Sequence, residues 1–233
     1  MGDDEAGMSL PLNERMKLYE RVSHHCLTRR SCCIIRVDGR AFHTLTRSMQ
    51  KPFDANFMDA MEQGVRSVAE EMSGFQLAYT QSDEASFLLT DFETIDTQPW
   101  FDYDLQKLVS ISASLMTCRV AQILGVSLAF DARAFVVPRD EAANYFVWRA
   151  KDWARNSLQM FCRAHFSHQQ LHEKDREAMH EMLHQIGKNW TTDCTQRERN
   201  GAFGTKTEQG LAFDYSIQPS YESISPLMEC LNP

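Results

Sequence analysis

The sequence predicts a mixed α+β fold built on an antiparallel sheet, and three observations point to it. Short apolar, β-branched runs and long amphipathic stretches follow one another in the order β-α-β-β-α-β, with two further helices after them. The two middle strand candidates are separated by Ser82-Asp83-Glu84 alone, a spacing that suits an antiparallel hairpin. Composition agrees: 43% of the 233 residues are hydrophobic and 24% charged, with only 10 Gly and 7 Pro, as in a packed chain rather than a disordered one. That element order is ferredoxin-like and leads to the expectation of one sheet covered by helices on one face.

Each element has its own warrant. Residues 1–11 read as a tail, 12–138 as the core, and 139–233 as a helical extension and C-terminal segment packed on it. Residues 32–37, Cys-Cys-Ile-Ile-Arg-Val, are apolar and β-branched and stop at Asp38-Gly39, as a buried strand entering a turn does. Asp54 is a plausible N-cap, after which Phe57, Met58, Met61, Val65, Val68, Ala69 and Met72 recur at helical spacing until Ser73-Gly74. Residues 75–81 and 85–90 form the hairpin strands. Residues 105–124 carry a second helical stripe through Leu108, Ile111, Leu115, Val120 and Ile123, with Gly125 as C-cap. A strand at 127–137 ends on Pro138, Asp140 opens a helix running to about Cys162, and another helix lies between His172 and Ile186.

Charge and cysteines narrow the function classes. Lys and Arg number 24 against 32 Asp and Glu, so 24 − 32 gives −8, which argues against unselective nucleic-acid binding by the whole surface but not against a local basic stripe. No run approaches the roughly 18 apolar residues of a membrane span. The start MGDDEAGMS is acidic where a secretory signal is basic and then apolar, so a cytoplasmic location without membrane attachment is expected. Cys26, Cys32, Cys33, Cys118, Cys162, Cys194 and Cys230 contain no C-x-x-C pair and read as reduced thiols.

In this topology the end of the first strand and the hairpin tip meet, which brings Asp38 towards Asp83 and Glu84. Carboxylates so close repel one another unless a cation intervenes, and hard oxygen ligands suit Mg²⁺ holding substrate phosphates. Two such ions about 3.5–4 Å apart clamp both oxygens of a phosphoryl transfer. The adjoining turn, Gly39-Arg40-Ala41-Phe42-His43, can aim backbone N–H groups at a triphosphate. On spacing alone, the same residues also suit an ordinary turn and a solvated hairpin tip.

The text of these motifs carries more. Arg36-Val37-Asp38-Gly39-Arg40-Ala41-Phe42-His43 and Tyr79-Thr80-Gln81-Ser82-Asp83-Glu84-Ala85-Ser86-Phe87 closely resemble the tRNA-histidine guanylyltransferase family. So do Lys51-Pro52-Phe53-Asp54, Phe130-Asp131-Ala132-Arg133, Asn144-Tyr145-Phe146-Val147-Trp148-Arg149 and Arg155-Asn156-Ser157, and the resemblance spans about residues 12 to 205. It implies a palm-like polymerase core working in the 3′-to-5′ direction. A tRNA 5′ end is activated, with ATP or GTP, and the 3′-hydroxyl of an incoming nucleoside triphosphate attacks it. By matching position, Asp38, the Gly39 carbonyl and Asp83 are the implied ligands of two Mg²⁺ ions, with Glu84 the third acid of the catalytic centre. Gly39, Arg40, Ala41, Phe42 and His43 would cradle the triphosphate, and Lys51, Asp54 and Ser82 match nucleotide-contacting positions. Lys51 as an exposed cation and Asp54 as an N-cap are the alternatives. The resemblance also implies a homo-tetramer.

One departure is informative. The family motif HINNLYN, whose histidine is tied to the histidine anticodon, reads here Ala154-Arg155-Asn156-Ser157-Leu158-Gln159-Met160. The chain is therefore similar to the guanylyltransferase-like branch, which implies template-directed repair of tRNAs lacking 5′ nucleotides. The alternative is addition of one G to tRNA-histidine. Arg149, Lys151, Arg155, Asn156 and Arg163 form a polar, mainly basic stripe suited to tRNA, or equally a solvated helix face. His180-Glu181-Met182-Leu183-His184 matches H-E-x-x-H, a remote zinc-protease reading with Trp190 where a third ligand would stand. His165, His168 and His172 cluster near a helix break and read as exposed polar residues, while Asp131 and Arg133 have no assigned role.

Overall fold

The computed structural model describes residues 10–231. Residues 1–9 of the expected 1–11 tail and the side chain of Cys230 lie outside the described part. In chain order the elements are α1 (Leu12–Val22), β1 (Cys32–Gly39), α2 (Phe42–Leu45), α3 (Ala55–Glu71), β2 (Phe75–Gln81), β3 (Glu84–Leu89), α4 (Leu105–Leu124), β4 (Phe130–Val137) and α5 (Ala142–Arg163). After them come α6 (His168–Leu171), α7 (Arg176–Gln185), α8 (Trp190–Asp193), α9 (Gln196–Asn200), β5 (Ala202–Thr207), β6 (Gly210–Asp214) and α10 (Tyr221–Ile224).

All six strands form one antiparallel sheet in the order β4-β1-β3-β2-β5-β6. The first four strands have the expected ferredoxin-like order. The last two differ from the expectation of a purely helical extension, because residues 202–214 return as a hairpin that pairs with β2. Two glycines within Gly201-Ala202-Phe203-Gly204 dilute the alternation by which a strand is recognised.

Both faces of the sheet are covered, not one. Strand residues alternate, so Cys33, Ile35 and Val37 meet α3 and α4 on one side. Cys32 and Ile34 meet α5 through Ala142, Tyr145, Phe146 and Ala150 on the other. A third cluster, with Phe53, Trp153, Leu158, Phe161, Leu183 and Trp190, ties the end of α5 to α7 and α8.

Local chemistry sets the helix ends. Asp54 caps α3 by accepting from the Phe57 N–H at 2.9 Å, and Asp104 caps α4 through the Lys107 N–H at 3.0 Å. α3 and α4 approach closely at Gly64, where a Cβ would stand 2.7 Å from Val120. α5 begins at Ala142 rather than Asp140, since residues 139–141 form a 3₁₀ turn after Pro138. Asp175 caps α7, so that helix starts later than His172. By length and composition alone α4 is apolar enough to cross a bilayer, a test that the core helix of a folded domain also passes. Here it buries Leu108, Ser112, Met116 and Val120.

Candidate active site

The strand β1 ends in the sequence Asp38-Gly39, and its register places Asp38 opposite Glu84 of β3 and opposite Asp131 of β4. The β2–β3 turn consists of Ser82 and Asp83, with Ser82 in the left-handed region at φ 48°. One backbone contact locks this turn beside β1, and a second ties the continuation of β1 to the segment that enters β4. The Gly39 N–H donates to the Asp83 carbonyl at 3.0 Å, and the Arg40 N–H donates to the Ala129 carbonyl at 2.9 Å. Gly39 admits no side chain: a Cβ would lie 2.4 Å from the Phe42 ring and 2.8 Å from the Asp83 Cβ. The Gly39 backbone and the two aspartates thus share one corner of the sheet.

Electrostatics divides the three acids. Burial raises the Asp83 carboxyl above the usual range, the Ser82 hydroxyl donating at 2.8 Å opposes that, and the nearby Asp38 charge adds to it. Glu84 differs because both its oxygens are engaged. Arg149 donates to it twice at 2.6 Å, and Arg36 lies 2.7 Å from Oε2. Burial, the largest influence, raises the Glu84 carboxyl above the usual range, and the Arg149 and Arg36 guanidiniums oppose that shift. Arg36 also reaches Asp38 at 3.4 Å, so one guanidinium spans two of the acids. Among the described residues no group of three or more His, Cys, Asp and Glu is arranged to hold a metal. What the corner offers a hard cation is Asp38, Asp83 and the Gly39 carbonyl, with Glu84 withheld by its arginines. Arg36 was not singled out from sequence, although its i, i+2 spacing from Asp38 puts both on one face of β1.

The phosphate turn is narrower than its sequence implied. The N–H groups of Gly39 and Arg40 are already engaged, which leaves those of Ala41, Phe42 and His43. Ala41 sits at φ 58° ahead of α2, and the Phe42 side chain is buried against Phe57 and Phe130, so its ring belongs to the core. Arg40 and His43 are exposed. Lys51, Asp54 and Ser82 line one cavity of about 70 Å³, with Phe53, Trp153 and Met160. Lys51 donates to the Thr46 carbonyl at 2.6 Å, and Asp54 accepts from both Phe57 and Gln50. The Phe57 N–H holds the Asp54 carboxyl below the usual carboxylate range. Sequence reading missed the Trp153 indole, whose buried Nε1 has no partner among the described residues.

The basic stripe separates in the same way. Arg149 is 4% exposed and committed to Glu84 and Asp152, so it presents no guanidinium to RNA, contrary to expectation. Asn156 donates to Asp152 at 3.3 Å. Lys151, Arg155 and Arg163 are exposed, Arg155 also pairing with Asp152. On edge strand β4, Asp131 and Arg133 are exposed, opposite Asp38 and Arg36. His165, His168 and His172 are exposed as well. His180 packs on the Trp190 ring at 6.0 Å, and with no metal cluster near it the protease alternative is not supported.

Comparison with known proteins agrees with this geometry. The family model for tRNAHis guanylyltransferase matches residues 13–138. A solved bacterial tRNA(His) guanylyltransferase-like protein in complex with ATP superposes with a TM-score of 0.88 at 34% identity, over 94% of this chain and 97% of that one. A structure of such a protein in complex with GTP gives 0.84 at 32% identity, over 95% and 99%. The tRNA(His) guanylyltransferase of Schizosaccharomyces pombe is 31% identical over 156 residues, 62% of this chain and 57% of that enzyme, so the chain spans little more than half its length. With half of its residues under one family model and its sheet superposed along nearly the whole chain, this nucleotidyltransferase belongs to the tRNAHis guanylyltransferase family.

Proposed function

We propose that the protein repairs tRNA 5′ ends, adding template-matched nucleotides in the 3′-to-5′ direction after ATP- or GTP-dependent activation. The observation that carries the reading is the clasp between β1 and the hairpin, where the Gly39 N–H meets the Asp83 carbonyl at 3.0 Å and sets Asp38 and Asp83 side by side. Asp38, Asp83 and the Gly39 carbonyl would hold Mg²⁺, as two ions, which supplies charge neutralisation at the leaving group and acidifies the attacking hydroxyl. The donors are hard oxygens, and the space beside Gly39 closes if any Cβ is added. The N–H groups of Ala41, Phe42 and His43 would take triphosphate oxygens, and Lys51, Asp54 and Ser82 would frame the nucleotide from the adjoining cavity. Glu84 keeps Arg36 and Arg149 neutralised behind the acids. Lys151, Arg155 and Arg163 supply tRNA phosphate contacts.

Repair is favoured over histidine-tRNA G-addition by Ala154, which stands where the family motif carries its histidine. The solved relatives bound to ATP and to GTP support triphosphate binding here. The test is incubation of the protein, ATP, Mg²⁺ and all four nucleoside triphosphates with a tRNA missing its first nucleotide and with intact tRNA-histidine. Template-matched filling of the truncated tRNA is expected; preferential addition of one G to the intact tRNA would overturn repair.

We extend the proposal to a cytoplasmic homo-tetramer. No residue of α1 is buried, and Leu12, Met16, Leu18, Tyr19 and Val22 are exposed on one broad stripe. Antiparallel pairing with a second copy would set Leu12 against Val22, Met16 against Leu18 and Arg15 against Tyr19, the last a cation–π contact. Light scattering should give four times the chain mass, and Tyr19→Asp should reduce it. A single-chain mass at every concentration would overturn it.

A further inference from the structure

The four tryptophans divide three to one. Trp100, Trp153 and Trp190 are 6%, 3% and 6% exposed, whereas Trp148 of α5 is 56% exposed. An indole left in water forgoes a large apolar gain, and this one is held in place rather than left mobile. The Arg149 guanidinium lies 4.6 Å from its ring centroid, and Tyr145 meets its edge at 5.9 Å. Arg149 is itself fixed by the two 2.6 Å bonds to Glu84, and Tyr145 by a 2.8 Å hydrogen bond to Ser86. The ring is therefore clamped by a buried ion pair whose carboxylate stands opposite Asp38.

Cations stand beside it in a chain of net charge −8. At i+3 and i+7 on the same helix face are Lys151 and Arg155, both exposed, and between them Asp152 at i+4 pairs with Arg149 and Arg155. A rigid aromatic face flanked by cations is the chemistry that recognises nucleic acid, bases on the ring and phosphates on the cations.

We infer that Trp148 is a stacking platform for a terminal or unpaired nucleobase of the RNA substrate, with Lys151 and Arg155 taking adjacent phosphates. The inference rests on the tRNA reading above and adds to it a residue that positions the RNA end beside the acids. It also gives Arg149 a purpose other than RNA contact, namely setting the indole plane.

The test uses the intact protein and a tRNA lacking its first nucleotide. In the wild type, RNA should quench indole emission and shield it from iodide. Trp148→Phe should bind within about threefold of wild type but lose that response, and Trp148→Ala should bind about tenfold or more weakly. Circular dichroism and the denaturation midpoint check that both variants fold. A response that persists in Trp148→Phe, or wild-type affinity in Trp148→Ala, overturns the inference while leaving the functional reading intact. Failure of the wild type to bind or fill any tRNA overturns both. Iodide shielding that appears with protein concentration alone would assign Trp148 to a protein interface instead.

Discussion

Glu84 illustrates how one residue's neighbours decide its work. Its spacing in Ser82-Asp83-Glu84 promises a third free acid, yet its oxygens are consumed by Arg149 and Arg36. Those arginines come from α5 and from inside β1, contacts that no local pattern near Glu84 reveals. Removing one partner of a buried ion pair leaves the others uncompensated, so Glu84→Ala should lose about 3–5 kcal/mol in denaturant unfolding. Adding Arg149→Met to Glu84→Gln should recover part of the single-variant loss, as a double-mutant cycle detects. His180 offers a pH signature on the same scale. Burial first, then Arg176 and His184 against Glu177, lower its pKa below the usual histidine value. The unfolded chain then takes up the proton first, so stability falls as pH drops through about 6.5. His180→Gln should flatten that slope in urea titrations; an unchanged slope contradicts the assignment.

Among the elements, those with a cap and an unbroken period were legible. α3 has Asp54 at its start and its apolar residues at helical spacing, and the hairpin around Ser82-Asp83 follows from its length. α1 was not foreseen, since Pro11 caps it with no side-chain bond and no partner buries its apolar stripe. The β5–β6 hairpin was missed because its strands are short and glycine-broken. Asp54 tests whether a cap is also a ligand. Asp54→Ala should cost about 1 kcal/mol through the lost bond to Phe57, whereas Asp54→Asn keeps that bond. If Asp54 also frames nucleotide, Asp54→Asn should raise the KM for ATP several-fold at near-wild-type stability. An unchanged KM would leave it a cap alone.

For the whole molecule, the acid corner was readable from sequence because the βαββαβ order dictates which strand ends meet. The second helical layer was not, because a strand buried on both faces shows a continuous apolar run that names neither covering helix. Covering both faces is nonetheless what the site requires. α3 and α4 support the strand bearing Asp38 from below, and α5 brings Arg149, Trp148 and the exposed cations over the other side. On the proposed reading, a −8 chain would confine its attraction for RNA to the neighbourhood of its acids.

In the proposed mechanism Asp38 and Asp83 together make the reacting centre. The most direct measurement is Mg²⁺-dependent incorporation of labelled nucleotide into a 5′-truncated tRNA by the wild type, Asp38→Asn and Asp83→Asn, with unfolding midpoints measured alongside. Both variants should remain folded, bind the tRNA, and lose incorporation by about a thousandfold or more. A variant that incorporates nucleotide at near-wild-type rate would contradict it.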